Sequence, residues 1–221
     1  MNSFRVRTDL ALEARENMEE DAEELRGVKV EELYDEESEV RVTKVIIETK
    51  NGSKAMGKPI GTYVTLEAPA MIEPDEEYHK EISAALAEQL REIIPGIEQE
   101  RSILVIGLGN RDVTADALGP NVIDNLIITR HMVKEFGKAA FNNEKVHMVS
   151  GIIPGVMAKT GMETAEITLG IVKQTKPDVV MVIDALAARS TKRLNRTIQI
   201  TNTGIHPGSG VGNHRNALTE E

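Results

Sequence analysis

The chain of 221 residues contains no cysteine and no tryptophan, and aromatic residues make up only 3% of it. Without cysteine there is no disulfide, no thiolate metal site and no cysteine nucleophile, a pattern that fits a reducing interior. With so few aromatics, the core must be built from aliphatic side chains and the nine methionines; a 40% hydrophobic content is enough for a sizeable one. No apolar run approaches the roughly 18 residues that cross a membrane. The start, Met1-Asn-Ser-Phe-Arg-Val-Arg-Thr-Asp9, lacks the apolar stretch of a signal peptide. A soluble, cytoplasmic protein without a membrane partner is therefore expected. Positive charge is also scarce: 26 Lys and Arg stand against 36 Asp and Glu, a net charge of −10. That argues against a general binder of nucleic acid or anionic membrane, but leaves room for a protein substrate with some positive charge. The length suits one large domain or a domain with an elaboration.

What is present has a clear order. Leu10 to Arg26 is rich in Ala, Leu, Glu and Arg and predicts a helix with an acidic face, stopped at Gly27. The acidic cluster from Glu31 to Glu39 predicts a solvated loop. Glu39 to Lys50 alternates apolar and polar residues; Asn51-Gly52 then predicts a turn and Tyr63-Val-Thr-Leu66 a second strand, together an antiparallel pair. Asp75 to Ile94 predicts a helix with Ile82, Leu86, Leu90 and Ile93 on one face. From there strands and helices alternate. Strands are expected at Ile103–Gly107, Val146–Val149, Asp178–Asp184 and Thr197–Thr201, with helices at Pro120–Phe136 and Glu163–Gln174. This pattern predicts an α/β fold: a mostly parallel sheet with helices on both faces, plus a small antiparallel β elaboration at about 39–67. The stretch from Thr203 to Asn213 carries four glycines without periodicity and reads as a loop.

Two aspartates stand out. Asp116 follows the apolar run Ile103-Leu-Val-Ile-Gly107, and Asp184 closes Val179-Val-Met-Val-Ile183. Such runs read as strands buried on both faces, and ligands in open α/β sheets bind beyond the carboxyl ends of the strands. Parallel strands end on the same side of a sheet, so the two carboxylates are expected at one edge. A helix cap would account for Asp116 alone, but an ionised Asp184 straight off five apolar residues is costly unless paired or solvated. Two chemistries can use the pair. The carboxylates can share a proton, one activating water while the other protonates the leaving amine. Alternatively, both can join an imidazole, His206 in the loop Gly204-Ile-His-Pro-Gly-Ser-Gly210, to hold a divalent metal. Asp112 reads as a turn former, and His131 and His147 as structural or exposed. Gly107-Leu-Gly109 lacks the third glycine of a dinucleotide loop. Gly208-Ser-Gly210 lacks the nucleophile-elbow pattern.

At the level of longer motifs the chain resembles a known family. Val6-Arg-Thr-Asp-Leu-Ala11, Gly107-Leu-Gly-Asn110, Thr114-Ala-Asp-Ala-Leu-Gly-Pro120, Asp184-Ala-Leu-Ala-Ala-Arg-Ser190 and Gly204-Ile-His-Pro-Gly-Ser-Gly-Val-Gly-Asn213 are similar to the germination proteases of spore-forming bacteria. The resemblance implies an atypical aspartic endopeptidase acting on small acid-soluble spore proteins in the spore core. It implies a core similar to that of the hydrogenase maturation peptidases, with Asp116 and Asp184 at the positions that bind metal there and acting here without a cofactor. It further implies a homotetramer and a zymogen trimmed near its N-terminus. Substrates of the family are cut after an acid that precedes an apolar residue and Ala. Thr8-Asp9-Leu10-Ala11 has that pattern, so self-cleavage is expected between Asp9 and Leu10, with 1–9 as propeptide and 10–221 as the peptidase domain. Family members continue beyond a loop like Gly204–Asn213, so the C-terminal part of the family domain is expected to be missing. The rival expectations are a metal-dependent maturation-type peptidase using Asp116, Asp184 and His206, and an inactive truncated relative.

Overall fold

The computed structural model describes residues 8–16, 27–36, 38–142 and 144–205. Through these the chain runs α1 (Ala11–Glu16), β1 (Val28–Tyr34), β2 (Arg41–Ile47), α2 (Lys50–Met56), β3 (Gly61–Glu67), α3 (Glu76–Ile93) and β4 (Ser102–Gly107). It continues through α4 (Leu118–Asn125), α5 (Arg130–Phe136), β5 (Met148–Ile152), α6 (Met157–Thr160), α7 (Thr164–Thr175), β6 (Val179–Ile183) and β7 (Thr197–Thr201). Short 3-10 turns fall between several of these, one of them Thr114–Asp116.

The α/β class holds, but the balance of strands differs from expectation. The parallel sheet has three strands, in the order β5-β4-β6. The antiparallel sheet is the larger, with the order β1-β2-β3-β7. The strand Thr197–Thr201 is where the sequence placed it, yet it pairs antiparallel with β3 rather than extending the parallel sheet. The segment between β6 and β7 therefore crosses from one sheet to the other.

Helices do cover both faces of the parallel sheet. Side chains alternate along a strand, so Leu104 and Ile106 share one face, where they pack with Ile171 and Val172 of α7. Val105 and Gly107 share the other, and there Gly107 and Gly151 lie against Ile123 of α4. Strand β4, flanked on both sides, is buried from Ile103 to Gly107. Strand β6 is an edge, and Val180 is 41% exposed. The expectation that Val179–Ile183 is buried on both faces is thus corrected, because among the described residues no strand pairs along its outer side.

In the antiparallel sheet, Val40, Val42, Val64 and Leu66 pack against Ile82 and Leu86 of α3. Val45, Ile47 and Tyr63 on the opposite face pack against Ala11 of α1 and Met56 of α2. Three local readings fail for identifiable reasons. Asn51-Gly52 is not a turn but part of α2, because the Thr49 side chain caps the Gly52 N–H and Gly57 closes the helix at φ 62°. The acidic stretch from Glu31 begins as strand: β1 is an edge strand, and its charged residues face solvent. The single helix expected over Pro120–Phe136 is two, α4 and α5, since Leu126 leaves helical geometry. No helix among the described residues is long and apolar enough to cross a membrane.

Candidate active site

The loop after β4 is built by close backbone approach. Past the strand, Leu108 N–H still bonds the Ile183 carbonyl at 2.8 Å. Gly109 turns at φ +113°, and a Cβ there would stand 2.0 Å from the Asp116 carbonyl oxygen. Only glycine fits that position. Asn110 N–H donates to the same Asp116 carbonyl at 2.9 Å, and Asp116 N–H donates to the Val113 carbonyl at 2.8 Å. The half-buried Asp116 is thereby held at the end of the 3-10 turn, with its carboxylate beside Gly109.

Helix α4 then enters the sheet edge through Gly119. A Cβ on Gly119 would lie 2.3 Å from the Leu108 carbonyl and 2.7 Å from the Ile183 carbonyl. Asp116 is three residues before this contact, and Asp184 is the residue after Ile183. Both aspartates therefore sit at the carboxyl end of the parallel sheet. Asp184 is half-buried, and its Oδ1 accepts from Ala185 N–H at 2.9 Å.

The loop that follows Asp184 is covered by the N-terminal segment. Asp9 N–H donates to the Ala187 carbonyl at 3.1 Å, and Ala187 N–H donates to Asp9 Oδ2 at 3.2 Å. Arg189 and Ser190 N–H donate to the two oxygens of Glu13 at 2.8 and 3.0 Å. Arg193 reaches Glu13 with Nη1 at 3.4 Å and Glu67 with Nε at 2.7 Å. Glu13 is fully buried. Burial pushes its carboxyl up, but hydrogen bonds from Thr8, Ser190, Arg189 and Arg193 outweigh this and hold it below the ordinary 4.5. Asp9 is thus placed against the Asp184 loop, and Leu10 beside it is fully buried.

The remaining candidates stand elsewhere. Asp112 is exposed, pairs with Lys159 and takes its own turn bond to Asn110 Oδ1 through its N–H. The hydrogen bond and charge of Lys159 hold its carboxyl below the usual range. His131 lies in α5, and His147 Nδ1 accepts from Arg101 N–H at 3.2 Å, a structural contact. His206 and Ser209 lie outside the described residues. Among the described residues, no three His, Asp or Glu side chains gather closely enough to hold a metal ion. A hollow of about 270 Å³ is lined by Met71, His79, Ile82 and Ser83, none of which belongs to the strand-end site.

Against known proteins, residues 6–221 match the family model described as germination protease. The chain belongs to the germination protease family. It is 48% identical over 216 residues to a germination protease of Caldanaerobacter subterraneus subsp. tengcongensis, covering 98% of this chain and 64% of that one. It is 47% identical over 217 residues to one of Clostridium tetani, covering 98% and 66%, and 44% identical over 226 residues to one of Bacillus cytotoxicus, covering 100% and 60%. The chain thus spans less than two thirds of the length of these relatives. The stretches 114–120 and 184–190 lie in the two loops that the Gly119 contact brings to one edge.

The residues that sequence reading missed are those that hold the N-terminal segment: Lys58, Gln199, Glu13 and Arg193. Their partners are remote in the chain, as with the Lys58 ammonium on the Asp9 carbonyl. Only Glu13 carried a signal, a carboxylate directly after Leu10-Ala11-Leu12 on what becomes the buried side of α1.

Proposed function

We propose that the protein is an endopeptidase that begins the degradation of small acid-soluble spore proteins during germination, with Asp116 and Asp184 as one acid–base pair. The observation that carries this reading is the seating of Gly119 on the Ile183 carbonyl, which sets both aspartates at the same edge of the parallel sheet. Two carboxylates at one sheet edge can divide the work of a base and an acid. The ionised member takes a proton from water, and the protonated one gives its proton to the leaving amine. Membership of the germination protease family supports peptide hydrolysis as the reaction.

The protein is made as a zymogen and cuts itself between Asp9 and Leu10. Two things support this: Thr8-Asp9-Leu10-Ala11 has the acid–apolar–Ala pattern, and the segment lies against the loop after Asp184. It works as a homotetramer in the cytoplasm of the spore core, without a cofactor, on a sheet core like that of the hydrogenase maturation peptidases.

The test is to follow the N-terminus of the protein and of Asp116→Asn and Asp184→Asn by sequencing during activation. The wild type should acquire Leu10 as its first residue, and both variants should stay uncut with unchanged melting. A new terminus elsewhere, or full cutting by either variant, refutes the assignment. Activity that disappears with a chelator and returns with a divalent ion would replace the shared proton with a metal.

A further inference from the structure

The peptide bond between Asp9 and Leu10 is gripped more closely than a helix entrance requires. The first backbone bond of α1 runs from Ala14 N–H to the Leu10 carbonyl at 3.1 Å. The preceding carbonyl, that of Asp9, is held instead by two side chains: Lys58 Nζ at 2.8 Å and Gln199 Nε2 at 3.1 Å. They come from unrelated elements, Lys58 from the turn behind α2 and Gln199 from the middle of β7. Both are ordinary hydrogen-bond distances to the intact carbonyl, so two donors already face the oxygen on which charge would develop.

Each donor is itself held in place. The Lys58 ammonium stands over the Tyr63 ring, 5.8 Å from its centre, and Tyr63 is fixed by its hydroxyl bond to the Pro59 carbonyl at 2.9 Å. Gln199 Oε1 accepts from Ala11 N–H at 2.8 Å, so the amide nitrogen is the end that faces Asp9. On the other side the Asp9 carboxylate meets Ala187 N–H, three residues beyond Asp184.

We propose that this seat is the substrate subsite of the peptidase: Lys58 and Gln199 are the oxyanion donors for the carbonyl under attack, and the Ala187 backbone reads the acidic side chain before the cut. The proposal rests on the reading above that the chain cleaves itself after Asp9. The oxygen of water bonds to the Asp9 carbonyl carbon, and the carbonyl oxygen takes up negative charge facing Lys58 and Gln199. The bond from that carbon to the Leu10 nitrogen then breaks as the carbonyl reforms. One proton from water passes through the aspartate pair to the Leu10 nitrogen as the bond breaks, and the second leaves the new carboxyl group for that amine, so the products are a carboxylate on Asp9 and an ammonium on Leu10. When residues up to Asp9 depart, the seat opens to the acidic residue of another chain, while Glu13 keeps α1 on the loop.

The experiment uses the full chain with Lys58→Met, Lys58→Arg and Gln199→Glu, timing the appearance of the Leu10 terminus by mass spectrometry and recording thermal unfolding. Gln199→Glu keeps the acceptor for Ala11 but replaces the donor with a negatively charged oxygen facing the Asp9 carbonyl. Lys58→Met and Gln199→Glu should each slow cutting by about 100-fold, and Lys58→Arg should recover part of the loss. If these residues merely pin the segment, the Met and Glu variants will melt earlier but cut as fast as wild type or faster, which overturns the proposal. Should a variant fail to fold, the comparison of Lys58→Arg with wild type still decides, since a pin predicts no slower cutting. A wild type that never exposes Leu10 removes the self-cleavage reading and this one with it; a cutting wild type with unaffected variants removes this one alone.

Discussion

At the scale of the residue, Glu13 is the clearest case of a charge kept in the interior for what it organises. Its carboxylate supplies the acceptors for two consecutive backbone N–H groups and an arginine, which a neutral side chain does only in part. Removing one partner of a buried charged network is severe, so Glu13→Ala should cost about 3 kcal/mol in chemical unfolding. The dependence on pH follows from the direction of its shift. Its folded value lies below 4.5, so its contribution is complete above the unfolded value and is lost as pH falls through the folded one. Melting temperatures of wild type and Glu13→Gln should therefore differ most near neutrality and converge in acid. A gap that widens below pH 4.5 would contradict the assignment. The position of the two aspartates at one sheet edge was legible because each follows an apolar strand. Lys58 and Gln199 were not, because nothing in a lysine before Pro59 or a glutamine in a short strand announces a partner far away in the chain.

At the scale of the element, the sheet edge depends on a helix that can approach the strands without a side chain between them. Gly119→Ala would set a methyl group 2.3 Å from one backbone oxygen and 2.7 Å from another, neither of which can swing aside. The expected cost is about 2–3 kcal/mol, together with loss of cutting, and both can be read from one preparation by thermal unfolding and terminal sequencing. Wild-type stability in this variant would show that the contact is slack. The elements themselves were read unevenly. β4 was legible because a strand buried on both faces is apolar throughout. β6 has the same kind of sequence but lies at an edge, so composition alone could not rank it. β1 was missed because an edge strand with a solvated side carries Lys and Glu. α2 was missed because a turn-like Asn-Gly pair is overruled by a threonine cap ahead of it.

At the scale of the whole molecule, two sheets are joined by the segment from Asp184 to Arg196, and the N-terminal segment is laid across that junction. Arg193 touches Glu13 on one side and Glu67 of β3 on the other, while Ala68 N–H bonds the Arg196 carbonyl at 2.9 Å. The α/β class and both helix layers were readable from the alternation of elements. The transfer of β7 to the antiparallel sheet was not, since a short apolar strand carries no mark of which sheet it joins. The two sheets should also differ in how they open. In hydrogen exchange, amides of β4, paired on both sides, should be the last to exchange in the parallel sheet, and those of the β6 edge should go earlier. The reverse order would mean that β6 is protected by something beyond the contacts described.

The seating of Gly119 on the strand ends has a consequence for genetics. If Asp116 and Asp184 form the proposed acid–base pair, position 119 will look as intolerant as they do in a library scored by activity alone, although it handles no proton. Scoring the abundance of folded protein beside activity separates them. Changes at the glycine lower both scores, whereas changes at the aspartates lower activity and leave abundance untouched.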